Sequence, residues 1–322
     1  MTISGAGVDT ALTERKALNI VVTGATRGPG LEVVRKLAHA GHKVSGVADT
    51  AENAARVRAS GGYPVYVDEL RGSELASLVR MAKADVLVDL ARQDLNQSVR
   101  NAGWNSDELV ARAKASVQAV RDGGAKFLVA ASYAFVYGDA HGHEVDESAK
   151  PETGGHPLLK AIVKAEKTIL SSGVPACILR LGYLYGPNMP QLASVTQSLR
   201  QGRPLPVGSG LANYLYAADA AEAIRRAAEA QPAGELFNIT DGHPITGAQF
   251  VAAFAESLGM RVPGKLPNFL NGMMAGSPLR DLFGLSAKVN IGKAKAKLGW
   301  APQYALSAGL SDTFLTWRAE AR

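Results

Sequence analysis

The stretch NIVVTGATRGPG, residues 19–30, decides how this chain is to be read. Asn19 to Thr23 is a short, β-branched run that reads as a strand. Three glycines follow, Gly24, Gly28 and Gly30, and from Gly30 to Ala40 apolar residues recur at three and four, the spacing of a helix face. In a strand–turn–helix of this kind the first glycine makes the tight turn and the second lets backbone approach a pyrophosphate. The third lets the helix pack close to the strand. The helix start adds free N–H groups and the positive end of its dipole. A glycine-rich turn that merely tightens packing would show the same letters. The place of the motif, between the first strand and first helix of a βαβ unit, argues for a dinucleotide instead. Gly24, Thr26, Arg27, Gly28, Pro29 and Gly30 are therefore expected to hold one.

The same alternation continues outward. Strands are expected at Lys43–Val47, Pro64–Val67, Val86–Leu90, Lys126–Ala130 and Ala176–Arg180. Helices are expected at Ala51–Ser60, Ser73–Met81, Ser106–Asp122 and Pro157–Ser171. Strands separated by helices of this length form parallel βαβ units, whose strands are covered on both faces and so need not alternate. The fold class is α/β, a doubly wound parallel sheet, with ligands at the carboxyl ends of the strands. After Arg180 the texture changes, with Gly, Pro and Asn clustered in YGPNMP and QGRPLPVGSG. A helix at Asp219–Ala230 and a strand at Glu235–Ile239 return to the sheet. The main domain is read as 18–182 plus 205–240, and a smaller, discontinuous substrate lobe as 183–204 plus 241–322. Residues 1–17 are expected to be a flexible lead-in.

Which dinucleotide binds turns on a few charges. Asp49, at the end of the second strand, would accept from an adenosine ribose and repel a 2′-phosphate. Arg27 within the loop could instead pair with that phosphate, while Arg56 and Arg58 fit a solvated helix face. NAD is expected, with NADP the alternative. Asp68 and Leu70, after the third strand, either meet the adenine or cap the helix that starts near Ser73. Leu90 and Ala91, ending the run VLVDLA, are placed on the cofactor, and Asp94 and Asn96 beside the cleft.

Composition narrows the class. The 322 residues are 47% hydrophobic and 20% charged, and 34 are glycine with no three-residue period, which excludes disordered and collagen-like chains. Thirty-five basic against 29 acidic residues give +6, spread along the chain without a basic block, so nucleic acid is not an expected partner. The first 18 residues lack a signal pattern and no apolar run reaches 18 residues, so no membrane span is expected. The single cysteine, Cys177, lies in an apolar strand and suggests a reduced thiol in a cytoplasmic protein. His141, His143 and Glu144 crowd one Gly-rich loop, but their spacing suits a surface loop, and no metal is expected.

With these segments in hand the chain resembles the extended short-chain dehydrogenases/reductases, the NAD-dependent epimerase/dehydratase family. The likeness runs from about Asn19 to Trp317, through TGATRGPG, SYAFVYGD (132–139), LRLGYLYGP (179–187), YLYAADAAEAI (214–224), GELFNI (234–239) and KLGWAPQYALSAGL (297–310). It departs at the glycine loop, where Arg27 stands in place of the usual middle glycine. It departs more sharply at the chemistry. The resemblance implies a Tyr-x-x-x-Lys pair on the helix beginning at Pro157 and a Ser or Thr on the strand before it. The tyrosine would act as acid/base, the lysine would lower its pKa, and the hydroxyl would bind the reacting oxygen. Anchored on Pro157 and Glu166, those places fall on Leu158, Ile162 and Tyr133, with Ser132 beside the last.

An ordinary carbonyl-reducing relay is therefore absent. Tyr133, assisted by Ser132 and by Lys160 or Lys164, is the expected substitute acid/base, unless it is simply an aromatic packed against the altered helix. The phosphate-clamping arginine that the resemblance implies before Asp219 is here Ala212, and the asparagine after LRLG is Tyr183. A smaller or more apolar substrate than a nucleotide sugar follows, met by Tyr137, His156, Leu158, Tyr183 and Tyr214, with Tyr185, Met189, Met273 and Met274 possible neighbours. The alternative role for His156 is an N-terminal cap on its helix. The expected activity is an NAD(P)-dependent oxidoreductase or epimerase-like enzyme with non-standard acid/base residues. The alternatives are a cofactor-binding protein without redox turnover, or a lyase or isomerase on the same fold. A homodimer through the helices near 106–122 and 157–171 is implied by the resemblance, with Ala111, Ala115, Ala119, Ile162 and Ala165 as candidate contact positions.

Overall fold

Alternate residues of the first strand, β1 (Asn19–Thr23), feed two separate cores in the computed structural model, which describes residues 16–90, 106–203, 205, 208–262 and 284–320. Ile20 and Val22 pack with Val86, Val88, Val129 and Cys177 on one face, while Val21 joins Leu87, Leu128 and Ile178 on the other. Both faces of the sheet are thus covered, which is why its strands read as unbroken apolar runs.

The strands that follow are β2 (Lys43–Val47), β3 (Tyr63–Val65), β4 (Val86–Asp89), β5 (Phe127–Tyr133), a short β6 (Glu144–Val145) and β7 (Ala176–Leu181). Beyond them come β8 (Tyr183–Tyr185), β9 (Leu211–Ala212), β10 (Tyr214–Tyr216), β11 (Leu236–Ile239), β12 (Ile245–Thr246) and β13 (Lys288–Val289). Seven form one sheet in the order β11-β7-β5-β4-β1-β2-β3, and every pair in it is parallel. The chain winds one way from β1 to β3 and then crosses to β4 on the other side of β1. That reversal opens a crevice at the carboxyl ends of β1 and β4, the place where open α/β sheets take ligands.

The helices are α1 (Gly30–His39), α2 (Ala51–Ala59), α3 (Gly72–Met81), α4 (Ser106–Gly123), α5 (Pro157–Leu170), α6 (Pro190–Arg200), α7 (Ala217–Ala230), α8 (Gly247–Ser257), α9 (Gly292–Leu298) and α10 (Leu306–Glu320). α3, α4 and α5 pack side by side on one face of the sheet, and α1, α7 and α9 cover the other.

Two boundaries differ from the sequence reading for reasons of pairing. β5 continues three residues past Ala130 because β7 offers partners up to Leu181, which sits opposite Tyr133. β3 lies at 63–65 and contains Pro64, tolerated because β3 is the sheet's last strand.

The smaller lobe has its own apolar core, in which Tyr185, Met189, Leu192, Tyr216, Phe250, Phe254 and Leu310 meet. It is discontinuous, built from β8, α6, α8 and α10. Asp219 ties it down: its carboxylate accepts from the backbone N–H of Gln303 (2.9 Å) and Tyr304 (3.1 Å), and its carbonyl from Trp300 Nε1 (3.0 Å).

The outer surfaces of α4 and α5 correct one expectation. Ala115, Ala119, Ile162 and Ala165 are buried within the molecule, and only Ala111 of the five candidate contact positions is exposed. The face that α5 shows to solvent carries Lys160, Lys164 and Lys167 at i, i+4 and i+7. Cys177 is fully buried, and burial pushes its thiol up.

Candidate active site

The loop after β1 has the geometry a pyrophosphate needs. Gly24 (φ +66°) and Gly28 (φ +51°) occupy the left-handed region. A Cβ on Gly30 would stand 2.2 Å from the Gly24 carbonyl oxygen and 2.5 Å from the Ala25 backbone. Only glycine lets α1 approach the loop this closely. The loop is closed by Arg27 N donating to Gly24 O (3.0 Å) and Gly30 N to Arg27 O (2.8 Å), with Pro29 capping α1. The residues present therefore fit a dinucleotide.

Beside the loop lies a cleft lined by Gly24, Thr26, Arg27, Ala48, Asp49, Asp68, Glu69, Leu70 and Arg112. Six of the cofactor residues expected from sequence converge there. Asp49 accepts from Asn53 Nδ2 (2.6 Å), which together with Arg27 holds its carboxyl below the usual range. Arg27 Nη2 stands 3.5 Å from Asp49, so the two opposed specificity signals form a pair. Arg56 is committed elsewhere, donating to Asn188 Oδ1 (3.0 Å). Asp68 lines the cleft but spends its carboxylate on Leu70 N (2.9 Å) and on Arg71, a turn-capping arrangement. Leu90 is fully buried at the end of β4, its N–H on Thr23 O (3.1 Å). Ala91, Asp94, Asn96, Met273 and Met274 lie outside the described residues.

Two residues of this cleft were missed. Glu69 accepts from Gly24 N (2.6 Å), and Arg112 Nη1 stands 3.3 Å from its other oxygen, while Arg112 also holds Glu108. Burial pushes the Glu69 carboxyl up, against the Gly24 N–H and the two arginines. The i, i+4 spacing of Glu108 and Arg112 on a helix entering the crevice was the available signal.

The corner where the family resemblance places the reaction is largely apolar. Leu158 and Ile162 are buried against Tyr133, Val136 and Leu159, with Leu109, Phe135 and Leu285 at the edge. The void between Tyr133, Ile162 and Glu166 is about 10 Å³, room for one water at most. Ser132 is also buried, and its hydroxyl donates to Glu166 Oε1 (2.5 Å). Glu166 is held in turn by Arg180 through Nε (3.0 Å) and Nη2 (2.7 Å). Lys160 and Lys164 are not brought to this corner, because both lie on the exposed side of α5.

Of the expected substrate contacts, Tyr137 is turned inward. Its hydroxyl donates to Asn238 Oδ1 (2.8 Å), Arg180 lies 4.7 Å over its ring, and only 2% of it is exposed. It packs the interior where a substrate contact was expected, among Ala134, Ala287 and Val289 and against Asn238 of β11. His156 is the N-cap of α5, with Nδ1 accepting from Leu158 N (3.2 Å). Tyr183 and Tyr214 stay half-buried at the lobe boundary, paired across β8 and β10. Among the described residues no group of His, Cys, Asp or Glu could hold a metal ion, and no helix is long and apolar enough to cross a membrane.

The comparisons agree with this geometry. A 3-diazoavenalumate denitrifying reductase from a Streptomyces species is 30% identical over 305 residues, covering 89% of this chain and 97% of that protein. A dTDP-glucose 4,6-dehydratase from Streptomyces venezuelae, solved with NAD, superposes with a TM-score of 0.78 at 22% identity, over 93% of this chain and 96% of the other. A UDP-glucose 4-epimerase from Thermotoga maritima, solved with UDP-glucose, gives 0.77 at 22%, over 95% and 100%. Likeness at that identity speaks for the fold. The profile of the NAD dependent epimerase/dehydratase family matches residues 20–240, more than half of the chain. Fold and family are those of NAD(P)-dependent oxidoreductases and epimerases, and this chain is an enzyme of the NAD dependent epimerase/dehydratase family.

Proposed function

We propose that the protein is a nicotinamide-dependent reductase that dispenses with a tyrosine–lysine proton relay and acts on an aromatic diazo substrate, an aryl diazonium ion. The observation that carries this reading is the burial of Leu158 and Ile162 in one apolar cluster with Tyr133. Neither side chain can give a proton, and a dry apolar corner disfavours the alkoxide that carbonyl reduction would leave there. An aryl diazonium asks for no proton. When bound, the dihydronicotinamide supplies a hydride, and Ar–N₂⁺ with hydride gives Ar–H and N₂, a two-electron reduction in which no proton is taken up or released. The name of the Streptomyces relative, a denitrifying reductase of a diazo compound, points the same way.

The chain's own residues then have positional tasks. Gly24, Thr26, Gly28, Pro29 and Gly30 cradle the pyrophosphate, Asp49 and Arg27 meet the adenosine ribose, and Glu69 with Arg112 braces the loop. Leu158, Ile162 and Tyr133 exclude water, which would otherwise convert a diazonium to a phenol. NAD is the favoured cofactor, since Asp49 lines the cleft beside the glycine loop, where a carboxylate would accept from a ribose and repel a 2′-phosphate. A soluble cytoplasmic protein suits the buried Cys177 thiol. A homodimer through α4 and α5 would set the row Lys160, Lys164 and Lys167 close to its own copy, so that pairing is expected to strengthen with salt.

The test is turnover of a 4-hydroxybenzenediazonium salt with NADH or NADPH, followed by loss of absorbance at 340 nm and by chromatography of the phenol formed. Acceleration over a protein-free control supports the reading. Turnover of ketones or nucleotide sugars with no acceleration on the diazonium overturns it.

A further inference from the structure

A row of aromatic rings leaves the reacting corner and crosses into the lobe. The Tyr133 and Phe135 rings are 5.0 Å apart between centroids, Phe135 and Tyr183 are stacked at 5.3 Å and 20°, and Tyr183 and Tyr214 stand 6.0 Å apart. Tyr214 is stacked on Phe250 at 4.2 Å and 7°. The two ends, Tyr133 and Phe250, are buried, whereas Phe135, Tyr183 and Tyr214 are half-exposed. The row is therefore anchored at both ends, and its accessible surface lies in the middle.

Its construction is rigid. Tyr133 ends β5 and Phe135 sits in the turn that follows. Tyr183 and Tyr214 are directly paired across β8 and β10, and Phe250 projects from α8. The side chains of the row are uncharged, and Ala212, two residues before Tyr214, offers a phosphate no partner. Such a wall gives little to a sugar diphosphate, which needs charge-assisted bonds. It gives much to a flat π-system, because offset aromatic faces add attraction beyond the area they bury.

We infer that Phe135, Tyr183 and Tyr214 form the seat of an extended planar, conjugated tail on the substrate. The inference rests on the reductase reading above and adds to it a substrate class: an arene in conjugation with an unsaturated side chain, in preference to a bare ring or a sugar. The row thereby sets specificity, and it places the reacting carbon by holding a group remote from it.

The test compares 4-hydroxybenzenediazonium with the diazonium of 4-hydroxycinnamamide, in wild type and in Phe135→Leu and Tyr183→Leu, each checked by thermal melting. The expected result is a KM at least tenfold lower for the tailed substrate. Each variant should then raise that KM about five- to tenfold and remove most of the tail's advantage over the bare ring measured in the same protein. Equal effects on both substrates, or no advantage from the tail, overturn the inference. If neither diazonium is turned over, the reductase reading fails by itself, and binding decides the seat. Unreactive 4-hydroxycinnamamide, followed by its fluorescence, should bind wild type more tightly than either variant if the seat exists. Equal or undetectable binding removes the seat as well.

Discussion

Arg180 and Glu166 form a two-point ion pair inside the molecule, with Nε–Oε1 at 3.0 Å and Nη2–Oε2 at 2.7 Å, and both residues are at least 95% buried. The pair joins the carboxyl end of β7 to α5, and Ser132 near the end of β5 donates to the same carboxylate. It fixes α5 against the sheet, and with it the positions of Leu158 and Ile162. Removing one partner leaves a buried charge, which costs about 3–5 kcal/mol, whereas replacing both by apolar groups can be close to neutral. Glu166→Gln should therefore lower stability by about 3 kcal/mol in urea titrations, and the double variant Glu166→Met with Arg180→Met should lose less than either single change. An additive double variant would mean that the pair is not coupled.

Gly30→Ala asks for space that does not exist. The added methyl group would lie 2.2 Å from Gly24 O, so α1 and the phosphate loop must separate. Ala25 and Leu31, at this contact, belong to one of the sheet's cores, so thermal melting is read beside affinity to separate a local shift from a loss of fold. The affinity for NADH, read by quenching of intrinsic fluorescence, should fall at least tenfold, ~1.4 kcal/mol or more. Unchanged affinity would show that the loop does not carry the pyrophosphate.

How far these features could be read from the letters differs by element. The strand–loop–helix at 19–30 was legible because each glycine answers a local backbone demand, and Gly24, Gly28 and Gly30 are used as that demand requires. The doubly wound parallel sheet followed from the βαβ alternation and right-handed crossovers, whereas the order of its strands needed the structure. For Asp68 the letters left two roles open, adenine contact or capping, and the role of Tyr137 was not legible, because it depends on what stands opposite. Asp68 turns to its own loop and Tyr137 to Asn238, 101 residues away. Glu69 was hidden for the same reason, since its partner Gly24 lies 45 residues earlier. The vacant Tyr-x-x-x-Lys places were visible from spacing, but the burial of their occupants against Tyr133 needed the tertiary structure.

Lys160 and Lys164 separate two accounts of the proton. If a lysine activated Tyr133, removing it would cost the reaction roughly 10²-fold or more. Both project from the exposed side of α5, away from the cluster holding Leu158 and Ile162. The double variant Lys160→Ala with Lys164→Ala should keep kcat and NADH affinity within twofold. A hundredfold fall in kcat would bring a lysine back into the mechanism.

Arg27 and Asp49 face each other at 3.5 Å on the rim of the cofactor cleft, so each can be tested against the other. Asp49 would repel a 2′-phosphate that Arg27 could hold. Asp49→Ser should raise NADPH affinity about tenfold, and Arg27→Ala should weaken NADPH more than NADH, both measured by fluorescence titration. A change of the same size for both cofactors would place the pair outside the 2′ position.

Asp241 follows β11, and its N–H donates to Tyr214 O (2.8 Å), at the lobe end of the aromatic row. Burial, with Asp219 adding to it, pushes its carboxyl up to about 6, against the backbone N–H and the charge of His243. Tyr185 and Tyr214 are the phenols within reach of its charge. Since the folded value lies above the ordinary 3.8, its effect on stability is fully present below pH 3.8 and is lost as pH rises through about 6. The same titration acts on substrates. Above pH 6 the carboxylate repels a tail that ends in a free acid, and below it that repulsion disappears. For the diazonium of 4-hydroxycinnamic acid, KM should therefore fall several-fold between pH 7.5 and 5.5. The amide should show no such change, and Asp241→Asn should abolish the difference. Parallel pH profiles for acid and amide would place Asp241 outside the path of the tail.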